Sequence, residues 1–300
     1  ILSSTLYISF SIIIISFPAR KLLGLPLIES LLLGSILGGV SSVVAIPLAR
    51  GITDSEDIKA IITLDSTFSD TLVIVVSLAL MQFIFNSSEL AFFETLHSII
   101  GNFSIGFVIG FLGGVIWIKV LRFLKRMKFS YMLTLAFLLL LYSITEVVRG
   151  SGAIACLVVG LVLSNARVFG EYLGMKKTFK LRHVIVYFHE EITFFVRTFF
   201  YIALGILFDV QFVGYTFFLN AIIMVLCMIF ARHLALLPVI RDRKERVKLS
   251  FIVPHGLAAA VIASILLQYS MPNRNLLSSL VTTEIILSNL ASIFSVIMRK

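Results

Sequence analysis

Two aspartates and several hydroxyl side chains lie inside one apolar stretch of this sequence, Leu64 to Val76, which reads LDSTFSDTLVIVV. Asp70 follows Lys59 by eleven residues, a separation of roughly 17 Å along a helix axis. A carboxyl group at that depth in an apolar helix is costly, and such a residue is functional by default. Ser66, Asp70 and Ser77 follow the i, i+4, i+11 spacing of one helix face.

Asp65 and Ser69 flank this polar stripe, so all of these oxygens could line one cavity. Carboxylate, hydroxyl and carbonyl oxygens around a single acid suit a hard, weakly held monovalent cation. Under the alternative, structural interpretation, the hydroxyls bond to carbonyls of the preceding turn and the aspartate pairs with a basic residue. The residues alone leave both interpretations open.

The composition places this stripe in a membrane protein. The 300 residues are 59% hydrophobic and 14% charged, with a mean hydropathy of +1.06, whereas soluble domains are about a quarter charged. Apolar runs of about twenty residues recur throughout, long enough to cross a hydrocarbon core as helices. The net charge of +9 is assigned to cytoplasmic loops rather than to nucleic-acid binding.

The sequence therefore predicts an all-α polytopic membrane protein, a single transmembrane domain over residues 1–300, with about ten helices. The predicted spans are 1–17, 27–48, 59–86, 99–123, 131–148, 150–165, 184–208, 212–239, 249–269 and 276–298. Lys and Arg alternate between the connectors in a way that fits up-and-down threading. The segment 169–183 is predicted to lie as an amphipathic helix on the inner surface.

Several further residues are marked by their depth in these spans. Paired glycines, two serines and a proline in LGGVSSVVAIP (37–47) weaken a helix and predict a break, although glycines also serve close packing. Arg197 lies near mid-depth in its span and needs acidic or carbonyl partners. Glu146 and Glu284 lie near span ends and are expected to be solvated. Cys156 and Cys227 are expected to be buried thiols.

These pieces together resemble the monovalent cation:proton antiporter superfamily, in particular the prokaryotic sodium/proton exchangers of the electroneutral branch. The family motif Glu-Ser-x-x-Asn-Asp is occupied here by residues 65–70, DSTFSD. The resemblance implies that Asp70 and Ser66 are the carboxylate and hydroxyl ligands of the ion. Asp65 replaces the family glutamate, and Ser69 stands where the family has asparagine.

Other segments fit the same family with departures. Ser41 and Ser42 occupy the place of an unwound Thr-Asp-Pro, so one expected carboxylate is missing. The segment around Arg197 resembles the family's arginine helix and makes that residue the expected charge partner. PHGLAAAV resembles Pro-Arg-Gly-Leu with His255 in place of arginine. Family members have twelve or thirteen spans, so N-terminal spans, which supply dimer contacts, are expected to be absent.

The resemblance implies an inverted-repeat fold with a broken helix near the midplane, in a homodimer in the prokaryotic cell membrane. It also implies exchange of a monovalent cation, foremost Na⁺, for H⁺ at one carboxylate, with no cofactor. One alternative is an intramembrane, metal-dependent prenyltransferase-like enzyme, suggested by the acidic residues of 54–70, although such enzymes need a second acidic cluster. The other alternative is a passive cation channel.

Overall fold

The computed structural model describes residues 2–85, 91–124, 129–166, 169–170, 183–207, 214–268 and 271–297. Within these ranges the chain is almost wholly α-helical and contains no strand. The helices are α1 Leu2–Leu23, α2 Leu27–Ile36, α3 Ser42–Ile52, α4 Glu56–Phe85, α5 Ala91–Phe123, α6 Ser130–Val147, α7 Gly152–Ser164, α8 His183–Leu207, α9 Tyr215–Leu236, α10 Arg243–Ser250, α11 Leu257–Gln268 and α12 Arg274–Ile297.

Six helices of the described chain are long and apolar enough to cross a membrane: α1, most of α4, most of α5, α6, α9 and α12. Four shorter apolar helices, α2, α3, α7 and α11, have 10 to 13 residues, enough for roughly 15 to 20 Å at 1.5 Å per residue. The prediction of an all-α polytopic membrane protein is confirmed, but the count of about ten spans is not. The predicted inner-surface helix at 169–183 lies almost entirely outside the described residues.

The chain divides into two compact units, Ile1–Ser88 with Phe199–Lys300, and Glu89–Thr198. In the second unit α5 packs closely against α7. Gly106, Gly110 and Gly114 form a stripe at i, i+4, i+8 along α5. A Cβ at Gly106 would lie 2.5 Å from the Ser151 carbonyl oxygen, and one at Gly110 would lie 2.5 Å from the Ala155 carbonyl oxygen. Glycine is therefore required here for the helix backbones to approach each other.

In the first unit α1 packs against α2, α4 and α9, while α11 and α12 form a second pair that contacts α2. Glycines again permit the close approach of α1 and α2. A Cβ at Gly34 would lie 2.8 Å from the Ile12 Cα, and one at Gly38 would lie 3.0 Å from the Ile8 Cα. The buried apolar core of this unit surrounds Tyr7, Leu33 and Met228.

Two interruptions in the helices of the first unit position the polar residues. The first separates α2 from α3 at residues 37–41, within the glycine-rich stretch that predicted a break. Pro47 lies inside α3 rather than at the interruption. The second interruption separates α10 from α11 at residues 251–256, where the sequence predicted one continuous span from 249 to 269. Pro254 has no backbone N–H to continue a helix, which accounts for this difference.

Candidate functional site

The two interruptions, at residues 37–41 and 251–256, contact each other, and the candidate site lies at this contact. The backbone N–H of Ser41, in the first interruption, donates to the carbonyl oxygen of Pro254 in the second at 2.7 Å. A Cβ at Gly256 would overlap the Ser41 hydroxyl, so only glycine permits this contact. The Ser41 N–H and the Pro254 carbonyl have no partner within a helix, and they form a hydrogen bond with each other where the two segments meet.

Asp70 on α4 lies beside this crossing. Its Oδ2 accepts hydrogen bonds from the Ser42 hydroxyl at 3.0 Å and from the Ser42 backbone N–H at 3.3 Å. Ser42 is the first residue of α3. The N-terminus of a helix presents unpaired N–H groups and a partial positive charge, both of which favour an anion. The carboxylate is therefore held by the start of a half-length helix.

A small pocket opens at this carboxylate. Asp70, Ser41, His255, Gly39 and Gly256 are among the residues that line it. Asp70 is only partly buried, whereas Ser41 and His255 are buried. The lining residues include one carboxylate, Asp70, and one hydroxyl, Ser41, and both are oxygen donors of the kind that a hard monovalent cation prefers.

His255 is fixed in this pocket by α12. Its Nδ1 lies 3.0 Å from the Val253 carbonyl oxygen and 3.1 Å from the Ser288 hydroxyl oxygen. Because a carbonyl can only accept, Nδ1 carries the proton of this hydrogen bond. The ring is fully enclosed and also interacts with the backbone of Leu37 in the first interruption.

The other predicted hydroxyl ligands mostly hold the helices together. The Ser69 hydroxyl accepts a hydrogen bond from the Val40 backbone N–H at 2.9 Å and so satisfies a donor of the first interruption. Ser77 is hydrogen-bonded to Ser35 of α2 at 2.9 Å. The Ser66 hydroxyl donates to the Thr63 carbonyl of the preceding turn at 3.3 Å, as the structural interpretation of the hydroxyls expects. Ser66 and Ser69 are not among the residues that line the pocket.

Asp65 belongs to a separate buried cluster, which we call the Arg232 cluster: Ser3, Ser4, Tyr7, Asp65 and Arg232. The Asp65 Oδ1 accepts hydrogen bonds from Ser3 at 2.5 Å and Ser4 at 2.9 Å, and its Oδ2 pairs with the Arg232 guanidinium. The guanidinium also lies over the Tyr7 ring, 5.2 Å from its centroid. Asp65 thus has both carboxylate oxygens occupied by side chains of α1 and α9.

Arg232 was not predicted from the sequence as a functional residue. It is an arginine inside the apolar run CMIFARHLAL, with 1% of its surface exposed. An arginine inside an apolar run is costly in a membrane and therefore indicates a buried partner. The same argument was applied to Arg197 and also predicts a role for Arg232. The backbone of Arg197 lies in α8, but its side chain lies outside the described residues, and its predicted partnership with the motif helix remains a prediction.

Glu284 corrects one expectation. The sequence places it near a span end and predicted solvation, yet it is 0% exposed in the structure. The reason is tertiary packing, because α12 (Arg274–Ile297) packs against α2, α3, α9 and α11. Glu146 accepts a hydrogen bond from the Gly152 backbone at 2.8 Å and remains exposed. Cys156 and Cys227 are free thiols that are only partly buried.

In this helical membrane protein, two spans are each interrupted by a non-helical segment, and the two segments contact each other. This arrangement is typical of secondary transporters that are built on discontinuous helices. The family model described as "Sodium/hydrogen exchanger, transmembrane" matches residues 1–300. The chain belongs to the sodium/hydrogen exchanger family.

Individual relatives agree with this assignment. The chain is 30% identical over 208 residues to the Na(+)/H(+) antiporter ApNhaP of Aphanothece halophytica, a match that covers 68% of this chain and 38% of ApNhaP. It is 27% identical over 156 residues to the K(+)/H(+) antiporter NhaP2 of Shewanella oneidensis, covering 51% of this chain and 27% of NhaP2. The matches therefore span well under half the length of these relatives.

A solved structure shows the same fold. The sodium proton antiporter MjNhaP1 from Methanocaldococcus jannaschii superposes with a TM-score of 0.76 at 22% identity, over 99% of this chain and 75% of MjNhaP1. The family and the fold do not favour the enzyme alternative.

Proposed function

We propose that this chain carries the ion-binding site of an antiporter that exchanges a monovalent cation, foremost Na⁺, for H⁺. The observation that carries the proposal is the position of Asp70, whose carboxylate opens to a pocket where two interrupted helices cross. The named relatives include Na⁺/H⁺ and K⁺/H⁺ antiporters, which supports this ion class.

In this proposal Asp70 binds either a proton or a cation. Loss of its proton creates the anion, which Ser42 and the start of α3 stabilise. The cation then takes a carboxylate oxygen of Asp70 and hydroxyl oxygens from Ser41 and Ser42. Because one carboxylate holds one positive charge in either occupied state, the empty anion is the costly state to move across the bilayer. Obligatory one-for-one exchange follows.

The remaining predicted ligands take supporting roles. Ser69 holds α4 against the first interruption through its bond to Val40, whereas the Ser66 hydroxyl bonds within α4 itself. Asp65 anchors the same helix through Arg232. Ser42 places a hydroxyl against Asp70 where the family has a carboxylate. We propose that this change lowers the negative charge of the pocket and therefore weakens cation binding. No cofactor is part of the proposal.

The finer architecture is also proposed from the fold. Two interrupted helices that cross are the arrangement of inverted-repeat transporters, whose crossing lies near the membrane midplane. Four apolar helices of half length can contribute to further spans beyond the six long ones. A homodimer in the cell membrane follows from the family resemblance and is part of this proposal.

The test is proton flux in proteoliposomes that contain an internal pH dye, recorded after pulses of sodium, lithium and potassium. We expect flux with at least one cation for the full-length protein and a loss of at least about 100-fold for Asp70→Asn. The matched control is Asp57→Asn, at an exposed aspartate in the first turn of α4, which should exchange like the wild type.

The outcomes separate the alternatives. Folded Asp70→Asn protein that exchanges at the wild-type rate would exclude Asp70 as the shared binding group. Cation flux that proceeds without any proton movement would instead indicate a channel.

A further inference from the structure

Glu284 is a fully buried acid that the proposed mechanism does not use. It is 0% exposed on α12, and among the described residues neither of its carboxyl oxygens has a hydrogen-bond partner. Ser288, one turn further along the same face, is also fully buried and contacts His255. Buried carboxylate anions almost always have paired oxygens, so this acid requires a different explanation.

The surroundings of Glu284 come from α1 and α9. Its carboxyl group interacts electrostatically with Tyr7 of α1 and with Cys227 of α9. Tyr7 also interacts with Arg232 and with Asp65, so Glu284 adjoins the Arg232 cluster. Helix α12 packs against α2, α3, α9 and α11. The ionisable side chains that the described parts of these helices carry are Glu29, Arg50, Tyr215, Cys227, Arg232 and His233.

Arg232 has spare donors. It pairs with Asp65 through Nη2, while its buried Nε and Nη1 have no hydrogen-bond partner in the described part of the chain. A guanidinium has five N–H donors and can serve two carboxylates. Asp65 is therefore paired, while Glu284 is buried with no hydrogen-bond partner among the described residues.

We propose that Glu284 is a second proton-binding site, distinct from Asp70, that holds its proton at neutral pH and releases it at alkaline pH. This inference goes beyond the proposed function and does not depend on transport at Asp70.

The test is infrared spectroscopy of the full-length protein in lipid, which detects the carbonyl stretch of a protonated carboxyl group. We expect the wild type to show such a band at pH 7 that is missing in Glu284→Gln, retained in Asp70→Asn, and lost from the wild type as the pH rises. The matched control is Glu56→Gln, because Glu56 is exposed and paired with Lys59 at 2.8 Å. Its substitution should remove no band.

Two results would overturn the proposal. One is an acid band in folded Glu284→Gln that equals the wild-type band, and the other is a wild-type band that stays constant up to the highest pH at which the protein remains folded. If Glu284→Gln does not fold, Glu284→Asp keeps the carboxyl group and should shift the band in frequency. An unshifted band in that variant would also contradict the assignment.

Discussion

Asp65 and Asp70 lie on the same helix, yet their surroundings differ in kind. Asp65 is 1% exposed and paired with a buried arginine, while Asp70 is partly exposed, bonded to Ser42 and open to a pocket. Five residues turn a helix by about 140°, so the two carboxyl groups point to different neighbours. The first carboxylate is enclosed by its partners, and the second lines a small pocket at the start of α3.

From this difference we expect a structural role for Asp65 and, under the proposed function, the ion-binding role for Asp70. A carboxylate that pairs with arginine and two serines has no oxygen left for a cation, and breaking that pair exposes a buried charge. A carboxylate at a helix start can exchange partners without leaving a charge unpaired, because the N–H groups remain. Substitutions at the Asp65 pair should therefore mainly lower stability, whereas substitutions at Asp70 should mainly lower the rate of exchange.

The largest effect is expected for Arg232→Gln. Removing the guanidinium leaves the Asp65 carboxylate buried without a counter-charge, which costs about 3–5 kcal/mol. The variant should have a much lower melting temperature in detergent, whereas Asp70→Asn should melt close to the wild type. Measurement of both by thermal unfolding tests the comparison directly.

The double variant Asp65→Asn with Arg232→Gln is the control, because it removes both charges. It should recover a large part of the stability lost in Arg232→Gln. A double variant that is as unstable as the single one would show that the ion pair is not what anchors α4.

The sequence predicted much of this architecture because its signals are local. Apolar runs of membrane length and the glycines near Val40 identify the helices and the first interruption. The position of Asp70 also follows from local spacing. The partners of Asp65 do not, since Ser3 and Arg232 are separated from it by 62 and 167 residues, and no helical periodicity relates residues so far apart.

The second interruption shows the same limit. The apolar residues of 249–269 predict one continuous span, whereas the structure has a non-helical segment at 251–256 that contacts Ser41. Burial of Glu284 likewise depends on which helices surround α12. Local sequence determines which residues are costly in a membrane, and tertiary packing determines which of them become paired.

A smaller effect is expected for Gly256→Ala. The added methyl group would overlap the Ser41 hydroxyl, and such overpacking typically costs about 1–3 kcal/mol. We expect a lower melting temperature together with slower exchange, because Ser41 also lines the pocket. Gly160→Ala on α7, where an added Cβ meets no atom within 4 Å, should change neither measurement. Wild-type stability in Gly256→Ala would contradict the close crossing of the two segments.

The smallest effect is expected for Ser42→Ala. Loss of the hydroxyl removes one of the two hydrogen bonds from Ser42 to the Asp70 carboxylate and so disfavours the anion relative to the protonated acid. A cation must then displace a more tightly held proton, so its apparent KM at neutral pH should rise about tenfold, equivalent to about 1.4 kcal/mol. The pH profile of exchange should move to higher pH, because the proton leaves only there. Ser42→Thr retains the hydroxyl and should keep both values near the wild type. An unchanged KM and pH profile in Ser42→Ala would mean that the backbone N–H of α3 holds the anion without help from the side chain.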